Sequence, residues 1–127
     1  MSFSFPYFRG RPHVPITFEV GEIRKKFIPL LDSGADYSVF YRSDAIALGL
    51  DWKKGQPTSF QSANGSIFHA RKFKLKLEIE SVPFLADICF VENTKNQTRL
   101  LGRHGIFSTF DVLFQERKRR IMLIPNL

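Results

Sequence analysis

One carboxylate in this sequence is set apart by its neighbours. The run Leu30-Leu31-Asp32-Ser33-Gly34-Ala35-Asp36 carries an acidic side chain from an apolar stretch straight into a tight turn. Gly34 lets the backbone turn sharply there, and the small residues Ser33 and Ala35 leave room for a substrate or a second backbone to approach. A carboxylate held at a strand end can act as a general base or acid toward water. Asp, Ser and Gly are also ordinary turn residues, so the tripeptide taken alone is equally a plain β-turn. Asp44, Asp51, Asp87 and Asp111 do not repeat the Asp-x-Gly pattern. Ser33 lies outside any Gly-x-Ser-x-Gly elbow, and His13, His69 and His104 are too scattered to suggest a metal site. Cys89 is the one cysteine and sits in the apolar run Ile88-Cys89-Phe90-Val91. There it reads as a small core hydrophobe, and alone it rules out an intrachain disulfide or a Cys-based zinc site.

The elements that must position Asp32 are mostly strands. Val14, Ile16, Phe18 and Val20 alternate with Pro15, Thr17 and Glu19, and Gly21-Glu22 offers a turn into an apolar return from Lys26 to Leu31. Phe73, Leu75, Leu77 and Ile79 alternate with Lys74, Lys76, Glu78 and Glu80, the pattern of a strand with one wet and one dry face. Phe84–Val91 reads as a further strand. Asn64-Gly65, within Gln61–Ser66, is a strong hairpin signal between potential strands. Ser43 is placed to cap a short helix over Asp44–Leu48 that Gly49 ends, and a second short helix is expected over His104–Thr109. The end of the chain reads as a hairpin, with Val112–Phe114, a turn over Glu116–Arg119, and Ile121–Ile124 stopped by Pro125. Neither repeats nor linkers interrupt the pattern, so a single domain over residues 1–127 is expected.

Composition bounds the function. Of 127 residues, 43% are hydrophobic and 14 are Phe, too much apolar material for a disordered chain. The net charge of +7 raises the question of an anionic partner. Arg24-Lys25-Lys26 and Arg117-Lys118-Arg119-Arg120 are local basic clusters, but no nucleic-acid motif accompanies them and most Lys interleave with apolar strand positions. They read first as a solvated face. The N-terminus lacks a secretory signal and no stretch reaches the roughly 20 apolar residues of a membrane span, so the cytoplasm is the expected compartment.

Leu30-Leu31-Asp32-Ser33-Gly34-Ala35, the later Leu100-Leu101-Gly102-Arg103, and the Asn64-Gly65 hairpin between them follow one another as landmarks do in the retropepsin-like aspartic proteases. The chain resembles that family from about Val14 to Ile124. The resemblance implies a mostly β, compact, closed acid-protease-like barrel lobe. It would carry a flap hairpin and one or two short helices, and form a two-fold homodimer. It implies Asp32 as the catalytic carboxylate, with Ser33 and Gly34 completing its loop. Ala35 and Asp36, with Ala63, Asn64 and Gly65 at the flap tip, would contact substrate. Leu101, Gly102 and Arg103 would support the site, Arg103 pairing with Asp36. It implies a peptide or protein substrate, and no cofactor or metal. Two departures stand out: the chain continues through an extra C-terminal hairpin, and its flap is not glycine-rich.

Aspartic proteolysis needs two facing carboxylates that share one proton. This sequence has one Asp-x-Gly turn, so the second must come from another copy across a two-fold axis. Ala35 lacks the hydroxyl with which Ser or Thr would hydrogen-bond the carboxylate. The expected function is therefore an aspartic endopeptidase active as a homodimer. A non-catalytic retropepsin-like module that binds peptide or dimerises is the first alternative. A basic β-domain that binds nucleic acid is the second.

Overall fold

The alternation of apolar and polar residues becomes two sheets in the computed structural model, which describes residues 1–61, 64–92 and 98–126. The larger sheet has eight strands. Seven of them are β2 (Ile16–Val20), β3 (Ile23–Phe27), β4 (Leu30–Leu31), β5 (Ser38–Tyr41), β7 (Ile67–Ile79), β8 (Val82–Val91) and β9 (Leu100–Leu101), and they follow the order β3-β2-β7-β8-β5-β9-β4. The eighth, β6 (Gln56–Gln61), pairs with the outer part of β7. The smaller sheet is β1-β11-β10, from Phe3–Pro6, Arg120–Pro125 and Phe110–Gln115. Among the described residues, no helix is long and apolar enough to cross a membrane.

The strand pattern read from sequence is present, with β7 longer than its clearest alternation and β8 beginning two residues earlier than Phe84. Leu75, Leu77 and Ile79 point inward, as do Phe84, Ala86 and Ile88 on β8. With Phe18, Phe40, Phe90 and Phe110 they fill the core, and Phe18 and Phe40 pack with ring centroids 4.8 Å apart. Many of the 14 phenylalanines are thus core or rim residues.

Three expectations need correction. The sheet is curled but not closed: its path ends at β3 and β4, so the lobe is a half-barrel. β3 carries Arg24, Lys25 and Lys26 outward on that free edge, and lysines along an edge discourage further pairing. The first helix, α1, spans Arg42–Ala47, so Ser43 lies inside it rather than capping it. Tyr41 is the N-cap, and the buried Asp44 carboxylate, three residues on, reaches back to accept its N–H at 3.0 Å. The second helix, α2, is confined to Ile106–Thr109 and does not include His104. Gly49 does end α1, with φ +80°. The C-terminal hairpin forms as expected, but β1 on its far side carried no sequence signal of its own.

Candidate active site

Asp32 stands at the end of β4, and its position is set from the backbone upward. β4 runs parallel to β9, Leu30 opposite Leu100 and Leu31 opposite Leu101. Leu30 N–H donates to the Arg99 carbonyl and Asp32 N–H to the Leu101 carbonyl, each at 2.9 Å. Beyond that point the chain turns: Ala35 N–H reaches the Asp32 carbonyl at 3.3 Å, and Gly34 N–H donates to Asp32 Oδ1 at 2.9 Å. Charge-assisted bonds of this kind fix a carboxylate's orientation. Asp32 is half-buried, while Ser33 and Gly34 are exposed.

The second motif brackets the turn. Gly102 is buried, and a Cβ there would meet the Tyr37 carbonyl oxygen at 2.4 Å and the Ala35 oxygen at 2.8 Å. Only glycine lets these two backbones pass so closely. Its N–H donates to the fully buried Ser38 hydroxyl oxygen at 3.0 Å. Arg103 N–H then bonds the Ala35 carbonyl at 2.8 Å, and His104 N–H the Asp36 carbonyl at 2.9 Å. Residues 32–37 are thereby tied to residues 101–104 through main-chain groups. The expected Asp36–Arg103 ion pair is not made: both side chains are exposed, and no ion pair joins them among the described residues. The link between these segments is the backbone ladder. The two side chains instead border a shallow depression with Tyr37, His104, Phe107 and Ser108.

A cleft of about 720 Å³ opens beside Asp32. Its floor is Asp32, Gly34, Ala35, Asp36 and Tyr37, with Val39, Cys89 and Leu100 from the sheet. Its far wall is the β6–β7 hairpin, through Thr58, Ser59, Phe60, Gln61, Asn64 and Phe68. Phe60 and Phe68 stack at 5.6 Å and pack with Leu100 on a small buried cluster of Val39, Ala70, Cys89 and Val91. At the hairpin tip the Asn64 carboxamide oxygen accepts the Ser66 N–H at 3.0 Å, and Gln61 Nε2 donates to the Gly65 carbonyl at 3.3 Å. Ala63 lies outside the described residues. Cys89 is a buried wall residue, and burial pushes its thiol up to about 11, which keeps it neutral and unreactive near neutrality. Among the described residues, no three His, Cys, Asp or Glu side chains converge as metal ligands do.

Two bracing groups escaped the sequence reading. Arg99, next to Leu100, donates through Nε and Nη2 to both oxygens of Asp44, each at 2.9 Å, and lies 4.6 Å over the Tyr41 ring. Hydrogen bonding to Asp44 holds the guanidinium above its ordinary range, against the opposing effect of burial. This bidentate clamp locks β9, and with it β4, to the start of α1. Ser38 is the other. Neither side chain carries a local pattern from which its partner could be read.

A strand-borne carboxylate in an Asp-x-Gly turn, bracketed by an apolar-apolar-Gly segment on a half-barrel, defines the lobe of an aspartic protease. The aspartyl protease family model matches residues 14–103, and the chain belongs to that family. The fold is similar to that of a retropepsin-like aspartic protease from Rickettsia conorii. That likeness has a TM-score of 0.70 and 23% identity, and covers 97% of this chain and 98% of the other. Comparison with curated proteins gives no match.

Proposed function

We propose that the chain is an aspartic endopeptidase whose active site is completed when two copies bring their Asp32 carboxylates face to face. The observation that carries this reading is the fixed Asp32 side chain at the mouth of a cleft walled by a hairpin. One carboxylate is half of the machinery, and no second Asp-x-Gly turn exists in the chain to supply the other. A two-fold axis through the site meets that need with a single gene product.

In the assembled site, like charges at close range cannot both ionise, so the pair shares one proton. The ionised carboxylate takes a proton from a water as its oxygen attacks the scissile carbonyl carbon. The protonated one gives its proton to the carbonyl oxygen, forming a tetrahedral diol. Collapse of the diol breaks the C–N bond: the carboxyl that took the water's proton gives it to the leaving nitrogen, and the other, now ionised, takes a proton from a diol hydroxyl as the new carboxylic acid forms. Ser33 and Gly34 hold the carboxylate in place. An extended peptide lies along the cleft in strand-like pairing, with Ala35 and Asp36 beneath it and the hairpin tip of Ala63, Asn64 and Gly65 closing over it as a flap. Leu101, Gly102 and Arg103 support the floor.

The test is cleavage of a peptide library by the parent chain and by Asp32→Asn. Pepstatin-sensitive cleavage should appear in the parent and fall by about a thousandfold or more in the variant. Its specific rate should drop on dilution as dimers dissociate. Equal cleavage by both chains would remove Asp32 from the mechanism.

A further inference from the structure

At the end of the molecule where β1 finishes and the β10–β11 hairpin turns, two loops bring like charges together. The loop after β1 holds Arg9 and Arg11, and the hairpin turn holds Arg117, Lys118 and Arg119. Tyr7 N–H donates to the Arg119 carbonyl at 2.8 Å. The Arg119 guanidinium lies 3.5 Å from where a Cβ on Gly10 would sit, between the two arginines of the other loop. All five side chains belong to exposed residues, and none forms an ion pair among the described residues. Four cations elsewhere are matched, Arg24 and Lys76 with Glu19, Arg42 with Glu92 and Arg99 with Asp44, whereas among the described residues Lys25 and Lys26 on the β3 edge and Arg103 beside the cleft are not. The one acid in the turn, Glu116, is engaged by Tyr7, whose hydroxyl is held above its ordinary range by burial first and by this bond second.

Two of the five also stand where the backbone disfavours them. Arg9 and Arg119 have φ of 53° and 55°, the left-handed region that glycine adopts at less cost. Like charge and left-handed backbone thus coincide at one surface, and among the described residues no carboxylate pairs with these cations. The loop after β1 is also joined to the site through the backbone. Arg11 precedes Pro12, whose carbonyl accepts the Leu31 N–H at 2.8 Å, and Asp32 is the next residue.

We infer that this basic end is an exosite that captures an acidic segment of the polypeptide substrate, alongside the stretch that enters the Asp32 cleft. The word substrate rests on the endopeptidase reading; the binding itself does not. A carboxylate-rich segment would neutralise the converging cations and be steered toward the cleft by them. The chemistry fits polypeptide better than nucleic acid, because the one exposed aromatic ring in the loops, Phe8, is already occupied. Arg9 lies 5.2 Å over it, and His13 meets it edge-on at 5.5 Å. It also fits polypeptide better than a bilayer, which requires a broader apolar face beside the charges.

The test uses the full chain carrying Asp32→Asn, so that binding is read without cleavage, with fluorescein-labelled deca-glutamate as the probe. The chain should bind the probe in a salt-sensitive manner, and a version with R9G, R119G, R117Q and K118Q should bind about tenfold more weakly or worse. Because the glycines relieve strain, the melting temperature should hold or rise. R117Q with K118Q alone, confined to the exposed turn, provides an intermediate loss should the fuller variant fold poorly. In the chain with Asp32 intact, an acidic tail on a peptide substrate should lower KM with kcat unchanged, and the basic-loop variants should erase that difference. Equal probe binding by parent and variants would overturn the exosite. So would tighter binding of a ten-nucleotide poly-dT or of phosphatidylserine vesicles than of deca-glutamate. Probe binding lost in the variants, with the Asp32-intact chain cleaving no peptide at all, would sustain the exosite and remove the endopeptidase.

Discussion

The floor of the cleft and the hairpin above it are held in different ways. The floor is a lattice of backbone bonds: Leu30 to Arg99, Asp32 to Leu101, Arg103 to Ala35 and His104 to Asp36, each between 2.8 and 2.9 Å. Gly102 passes too close to Tyr37 for any side chain. The hairpin is hydrogen-bonded at its root, where Arg71 donates to the Lys53 and Gly55 carbonyls beside the bond from Trp52 Nε1 to the Phe90 carbonyl, and farther out it rests on side chains, Phe60 and Phe68 packing on the cluster of Val39 and Cys89. Its outer part pairs Ser59, Phe60 and Gln61 with His69, Phe68 and Ile67, and among the described residues the segment after β8 reaches it through one bond, Glu92 N–H to the His69 carbonyl at 3.3 Å. A dense backbone lattice is thus concentrated where a carboxylate must be aimed, and sparser bonding with side-chain packing where a peptide would have to enter.

The sharpest way to break this contrast is Gly102→Ala. A methyl group 2.4 Å from the Tyr37 carbonyl oxygen forces the two backbones apart. It should cost about 3 kcal/mol, read as a lowered urea midpoint. Arg99→Met comes next. It leaves the buried Asp44 carboxylate without its bidentate partner. A buried pair broken this way costs about 3–5 kcal/mol, and the partial exposure of Arg99 brings the expected loss to about 2 kcal/mol. On the hairpin side, Phe60→Ala removes one of two stacked, half-exposed rings and should cost about 1 kcal/mol or less. Hydrogen exchange should then accelerate in Ser59–Gln61 and leave Leu30–Asp32 unchanged. A loss for Phe60→Ala as large as that for Gly102→Ala would erase the distinction.

The smallest effect appears only in alkali, at the cleft wall between floor and hairpin. Burial raises the Cys89 thiol from 9.0 to about 11 in the folded chain, so the native state binds the extra proton between those values. The associated stability is fully present below pH 9 and is lost as the pH rises through about 11. Cys89→Val should flatten that part of the stability–pH curve. An identical alkaline decline in both chains would assign it to other groups.

What was legible in the sequence was local. The Asp32 turn, the Leu100–Gly102 segment, the Asn64-Gly65 hairpin and the Glu116–Arg119 turn each announce themselves within a few residues. What was not legible depends on partners distant in the chain. Ser43 has the right type for a helix cap, but the helix begins two residues earlier than that reading, with Tyr41 as N-cap and its N–H, like Arg99, converging on the Asp44 carboxylate. β1 is strand only through β11, its partner at the other end of the chain. β4 and β9 are two residues each, too short for any periodicity, yet their parallel pairing aims Asp32. Arg9 and Arg11 carry no local pattern, and the fold brings the loop they share close to Arg119 through Tyr7 and Gly10. Asp36 and Arg103 were paired by resemblance, whereas the contact between their segments is main chain.

The shared site is tested most directly by mixing. A fixed amount of active chain is equilibrated with increasing Asp32→Asn chain, and cleavage per active chain is followed. With one carboxylate drawn from each copy, mixed pairs carry a single aspartate. The rate should then fall toward zero as the inactive chain comes into large excess. A rate per active chain that stays constant across the titration would mean that each copy holds a complete site of its own.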